Sequence, residues 1–220
     1  MRQYSKTGSY AGYDKNNKER EALDYYATPT KEVENIIHKL GLENFSGAIL
    51  EPSCGGGHMV EGILNAVPKS QIIATDIQKR PNNFLTSHFE KGVKYMCGKE
   101  YDFLSDSYPV KNADLVIMNP PFKVIVPFIL HSFEIAEKGI LCFGRTKLVE
   151  GIERYEKIFS TIPPTDIYQY IDRVTCGKNG DFDGKNGVEA HAWFYWDKEK
   201  INKENDYDTK FHWIFTSGRN

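Results

Sequence analysis

The stretch Ala48-Ile49-Leu50-Glu51-Pro52-Ser53-Cys54-Gly55-Gly56-Gly57-His58 decides the fold. Residues 48–50 form a short apolar run that ends on an acid, the pattern of a buried strand. Three glycines follow, and residues 59–66 resume with apolar positions at helical spacing. Glycines between a strand and a helix let the backbone turn tightly and let a ligand come close to it.

The same alternation extends outward in both directions. Upstream, Val33, Ile36, Ile37 and Leu40 recur at helical spacing and Gly41 stops the helix. Thr28-Pro29-Thr30 is its entry, with Thr30 expected as the N-cap. Downstream, 71–75 reads as a buried strand ending in Asp76, and 115–118 as another ending in Asn119-Pro120-Pro121. Helix 126–137, strand 140–143, amphipathic helix 148–159 and strands 167–174 and 190–196 follow, with one more strand at 211–215. Strands interleaved with helices in this way imply an α/β fold with a doubly wound, mostly parallel sheet. Residues 176–187 are a loop rich in Gly, Asp, Lys and Asn. The expected organisation is a polar arm over 1–22, one catalytic domain over 23–200 and a C-terminal extension over 201–220.

Composition narrows the class. With 220 residues, 40% of them hydrophobic and 26% charged, the chain can bury one full core. Its net charge of −2 argues against a protein that grips nucleic acid through one dominant basic face, so any such contact needs a local patch. Cys54, Cys97, Cys142 and Cys176 are scattered and lack a C-x-x-C pair. The histidines at 38, 58, 88, 131, 191 and 212 show no ligand spacing with them, so neither a metal site nor a disulfide framework is expected. The first twenty residues are polar, and no apolar run is long enough to span a bilayer. A cytoplasmic protein without membrane contacts is expected.

Asp76 lies about 20 residues beyond the glycines, at the tip of the next strand. An acid there can hold a nucleoside ribose by paired hydrogen bonds. A dinucleotide would want G-x-G-x-x-G facing its pyrophosphate, but His58, Met59 and Val60 follow the glycines instead. Glu51 would be unwelcome beside a pyrophosphate, yet it suits a cationic ammonium or sulfonium. These features favour S-adenosylmethionine as the cofactor.

The second decisive stretch is Asp114-Leu115-Val116-Ile117-Met118-Asn119-Pro120-Pro121-Phe122. Proline lacks an N–H, and Pro121 holds Pro120 extended, so a stiff corner of acceptors ends the strand. An exocyclic amine on an aromatic ring is a poor nucleophile because its lone pair is delocalised. The side-chain oxygen of Asn119 and the carbonyl of Pro120 can accept its two N–H bonds and stabilise the charge that develops on nitrogen. Phe122 can stack on the ring and hold it in line with the methyl group.

With these motifs in place, the chain resembles the amino-methyltransferases that carry N-P-P-[YF], and is most similar to small N6-adenine DNA methyltransferases of bacterial or phage type. The resemblance covers roughly residues 24 to 198. It implies a Rossmann-like methyltransferase fold with a seven-stranded sheet, its last strand antiparallel. Glu51, Pro52, Gly55 and Gly57 match the family's E-P-x-x-G-x-G donor loop. Asp76, with Ile77 beside it, matches the acid on the donor ribose, and Asp102-Phe103 resembles the pair at the donor adenine. Tyr25-Tyr26-Ala27-Thr28-Pro29 resembles the Thr-Pro element that covers the methionine end of the donor, giving Tyr26, Thr28 and Pro29 a cofactor-binding role. Asn119, Pro120, Pro121 and Phe122 match the catalytic tetrapeptide, with Asn119 also touching the donor. The aromatics of 190–196 are read as core.

The family's longer members append a target-recognition domain, for which about 20 residues beyond Lys198 are too few. Base reading would then fall to loops, a recognition subunit or a homodimer mate. The loop 173–187, with Arg173, Lys178, Lys185 and Phe182, is the internal candidate, together with a basic rim of Lys123, Arg145 and Lys147. A grip this small would suit single-stranded or distorted substrate. The expected partner is nucleic acid, DNA in preference to RNA. Guanine N2 or adenine N6 of RNA, or protein glutamine, presents a planar N–H₂ to the same corner and stays open as an alternative, as does a non-catalytic donor-binding module.

Overall fold

The computed structural model describes residues 25–80, 92–182, 187, 189–203 and 207–219. The arm over 1–22, His88 and Lys185 lie outside them. In chain order the elements are β1 (Tyr26–Ala27), α1 (Thr30–Lys39), β2 (Ala48–Glu51), α2 (His58–Ala66), β3 (Gln71–Asp76), β4 (Val93–Cys97) and β5 (Ala113–Met118). Then come α3 (Ile125–Ile135), β6 (Ala136–Arg145), α4 (Ile152–Arg154), β7 (Asp166–Tyr170), β8 (Gly177–Lys178), β9 (His191–Asp197), α5 (Lys198–Lys203) and β10 (Lys210–Ile214).

Eight strands form the main sheet in the order β10-β7-β9-β6-β5-β2-β3-β4. Neighbours run parallel except β9, which is antiparallel to both β6 and β7. Seven of these strands are those the resemblance implies; β10 adds an eighth at the edge, parallel to β7. Strand order reverses at β2, so the carboxyl ends of β2, β3 and β5 face one crevice, where ligands of open α/β sheets bind.

The strands are apolar on both faces because helices cover both. Ile49, Leu115, Ile117, Leu141 and Phe143 point to the layer of α1 and α2. Leu50, Val116, Met118, Ile140 and Cys142 point to the layer of α3. Trp193, Phe194 and Trp196 are fully buried, the core role expected of that strand. Helices α1 and α2 cross closely at Gly62, where a Cβ would lie 2.6 Å from Val33 Cβ and 2.7 Å from the Thr30 carbonyl.

Several sequence expectations change. The N-cap of α1 is Pro29, not Thr30; the Thr30 hydroxyl instead donates to Glu61 Oε2 at 2.9 Å, joining the two helices. The helix expected over 148–159 is broken. A 3₁₀ turn spans Thr146–Val149, Gly151 takes φ +112°, and Tyr155–Phe159 is a π-turn after the short α4. Strand β4 escapes the reading because only Val93 of its five residues is buried. β7 stops at Tyr170, since Asp172 turns its carboxylate to Thr216, accepting from its N at 3.0 Å and its Oγ1 at 2.6 Å.

Candidate active site

The glycine loop leaves β2 and caps α2. Gly57 sits at φ +93°, a left-handed conformation that favours glycine, and so starts the helix. Asp76, at the end of β3, reaches back across the loop. Its Oδ2 accepts from Gly55 N at 2.8 Å and its Oδ1 from Gln78 N at 2.8 Å. Burial raises the Asp76 carboxyl above its usual range, while those two N–H groups and Arg80 oppose the rise. Ile77 follows, exposed on the rim.

Glu51, at the end of β2, is buried. Its Oε1 accepts from Ser53 N at 3.2 Å and Ser53 Oγ at 3.3 Å, but its Oε2 has no hydrogen-bond partner among the described residues. Burial pushes its carboxyl well above the usual range, and the Asp76 charge adds to that. A buried carboxylate oxygen without a donor is costly unless a ligand cation faces it. Cys54 is buried, and burial pushes its thiol well up, which disfavours the thiolate.

Asn119 ends β5 next to this loop, and Ser53 Oγ donates to its carbonyl at 3.4 Å. Its Nδ2 donates to the Tyr26 carbonyl at 2.8 Å and to Thr28 Oγ1 at 3.0 Å. Pro120 is buried beneath it, Pro121 is exposed, and Phe122 is half-buried on the following turn. The Arg145 guanidinium lies over the Phe122 ring, 4.1 Å from its centroid.

The strap 25–29 ties these parts together. Tyr26 and Ala27 pair with Lys178 and Gly177 of β8. Asn179 N donates to the Tyr25 carbonyl at 2.8 Å. The Tyr25 ring lies against the glycine loop, so close that a Cβ on Gly55 would meet it at 2.7 Å. Arg80 covers the ring at 4.9 Å. Thr28 is buried, and the Pro29 carbonyl accepts from Glu32 N at 2.9 Å as α1 begins.

Thus hydrogen bonds link Asp76 to Gly55, Glu51 to Ser53, Ser53 to Asn119, and Asn119 to Tyr26 and Thr28, at the carboxyl ends of β2, β3 and β5. Phe103 does not join them: the ring is buried in the core against Tyr108, Phe128 and His131. Asp102 turns its Oδ1 to its own loop, accepting from Leu104 N at 3.1 Å. Two histidines to which the motifs gave no role lie beside these residues. His191 is buried, stacks on Phe143 at 5.0 Å and sits 6.4 Å from the Phe122 ring. Burial and the Arg145 charge lower its pKa to about 4, so it is neutral. His58 packs against Phe182 at 5.5 Å, bringing the loop after β8 onto the start of α2. His191 lies on β9 in register opposite Arg145, a pairing that the sequence alone does not show. Tyr25 opens the stretch that resembles the Thr-Pro element, but only the tertiary fold sets its ring on the glycines.

No family model and no curated protein matches the chain. Solved structures do. The chain is similar to a candidate RNA methyltransferase from Pyrococcus horikoshii (19% identity, TM-score 0.57), covering 76% of this chain and 82% of that one. It is similar to a dimethyladenosine transferase from Plasmodium falciparum (15%, TM-score 0.53, 81% and 66% covered). It is also similar to a predicted O-methyltransferase from Agrobacterium tumefaciens (11%, TM-score 0.51, 85% of each chain). The fold is that of the Rossmann-like methyltransferases. Likeness at these identities speaks for architecture; the chemistry rests on the residues above. No helix among the described residues is long and apolar enough to cross a membrane.

Proposed function

We propose that this chain is an S-adenosylmethionine-dependent methyltransferase acting on an exocyclic amine of a nucleic-acid base. One observation carries the reading. A glycine loop flanked by two buried carboxylates, Glu51 and Asp76, abuts the Asn-Pro-Pro-Phe corner through the Ser53–Asn119 contact.

The residues present fit the donor. Glu51 Oε2, without a hydrogen-bond partner among the described residues, takes its cationic methionine end, the glycines allow close approach, and Asp76 takes the ribose. When bound, the donor supplies an electrophilic methyl group. The chain's own residues do the rest. Asn119 Oδ1 and the Pro120 carbonyl accept the amine N–H bonds, which localises the lone pair and stabilises charge on nitrogen. Phe122 holds the ring by stacking, in the place where Arg145 now lies. A strong base is unnecessary, because the protonated product amine is acidic and releases its proton to water. Arg145, which lies over Phe122, would supply a local positive rim together with Lys123 and Lys147.

Two substrates compete. The similar structures whose names state a substrate point to RNA in one case and to adenosine in the other, which makes adenine or guanine in RNA the first to test. Adenine N6 of DNA is the second, supported by the order of the Thr-Pro element, glycine loop and Asn-Pro-Pro-Phe. Calorimetric titration with S-adenosylmethionine and its demethylated product tests the donor half of the proposal. One site per chain is expected, retained in Asn119→Ala; neither heat nor a thermal shift at millimolar ligand would refute it.

A further inference from the structure

We propose that Thr28 and the Tyr26 carbonyl are the positioning groups of Asn119, locking its amide so that Oδ1 is the oxygen offered to the target amine. The inference rests on the function proposed above. It departs from the reading that places Thr28 on the donor.

A carboxamide can flip, and its orientation follows from the partners around it. The partner at 2.8 Å from one arm is the Tyr26 carbonyl, which can only accept. That arm is therefore Nδ2; placing Oδ1 there would set two acceptors against each other. The second Nδ2 hydrogen meets Thr28 Oγ1 at 3.0 Å. Both N–H bonds are thereby used, and Oδ1 accepts from none of the described residues. Without this lock, the flipped amide would present N–H bonds to an amine that needs an acceptor.

The lock is held firmly. Thr28 is 2% exposed. The chain on either side is fixed, by Pro29 at the start of α1 and by Tyr26 in the pairing with Lys178. The same strap carries Tyr25 onto the glycine loop. Orientation of the catalytic amide is thus built into the segment that covers the donor side.

The test compares Thr28→Val, which keeps the shape and loses the hydroxyl, with Thr28→Ser, which keeps the oxygen. In donor-free protein, the Asn119 side-chain amide is identified by its loss from the ¹⁵N spectrum of Asn119→Ala. Its protons are expected to move and exchange faster with water in Thr28→Val, and to return to the wild-type position in Thr28→Ser. In turnover, Thr28→Val is expected to lower kcat about fivefold, the worth of one neutral hydrogen bond. Donor affinity is expected to stay within twofold, with Thr28→Ser restoring kcat. An unmoved amide in Thr28→Val overturns the lock. A loss confined to donor affinity, or Thr28→Ser failing like Thr28→Val, also overturns it and returns Thr28 to the donor or to packing. Wild-type protein inactive on every nucleic acid would overturn the proposed reaction and with it the catalytic purpose of the contact, whereas the amide spectrum judges the hydrogen bond by itself.

Discussion

Removing the Asp76 carboxylate should unfasten the donor loop before any donor is present. Asp76 is buried and accepts two backbone N–H groups, from Gly55 and Gln78, both at 2.8 Å. In Asp76→Ala each N–H loses its acceptor, at about 1–3 kcal/mol apiece. Burial already disfavours the ionised carboxylate, as its raised pKa shows, so removing it returns part of that cost. The net loss is about 2 kcal/mol, which for a domain of this size lowers Tm by about 4–8 °C. Asp76→Asn keeps one acceptor and sets an N–H₂ against the other N–H, so its loss should be intermediate. Calorimetric unfolding of donor-free protein reads the first effect. A titration with S-adenosylmethionine reads the second, a Kd raised about 10–100-fold by loss of a charged hydrogen-bond partner to the ribose. An Asp76→Ala protein that melts within 1 °C of wild type would show that the carboxylate does not hold the loop.

Three further outcomes are expected. Glu51 has a folded pKa well above its unfolded value, so its contribution to stability is present at low pH and is lost as pH rises through that folded pKa. A bound cation favours the ionised form, so donor affinity should rise with pH through the same range; Glu51→Gln should flatten that rise and weaken binding, as isothermal titration across pH would show. His191 has the opposite sign: its pKa is lowered to about 4, so stability is full above the unfolded value near 6.5 and falls as pH drops towards 4. The slope is about 1.4 kcal/mol per pH unit, and urea midpoints of His191→Gln should lack it. Gly62→Ala should gain about 1 kcal/mol of helix propensity yet lose more by driving a Cβ to 2.6 Å from Val33 Cβ; a urea midpoint above wild type would contradict the close crossing of α1 and α2.

Legibility in the sequence tracks how local each signal is. β2, β3 and β5 could be read because both faces are buried, which makes them continuous apolar runs ending in a glycine loop, an acid and a proline pair. β4 sits at the sheet edge with mixed burial and shows no such run. The helix over 148–159 has the right periodicity, but Gly151 at positive φ interrupts it. At the site, Asn119 and Asp76 were visible because their chemistry lies in short motifs. Phe103 shared a motif's spelling, yet its ring packs inward. Arg145 and His191 come together on Phe122 only through the antiparallel pairing of β6 with β9, and Thr28 meets Asn119 across about ninety residues.

The central claim is tested most directly by methyl transfer from labelled S-adenosylmethionine to RNA, single-stranded DNA and duplex DNA, each digested and resolved into nucleosides. Label is expected on an exocyclic base amine, with a drop of about 100-fold or more in Asn119→Ala while donor binding persists. Label on no nucleoside, or equal label with Asn119→Ala, would contradict it.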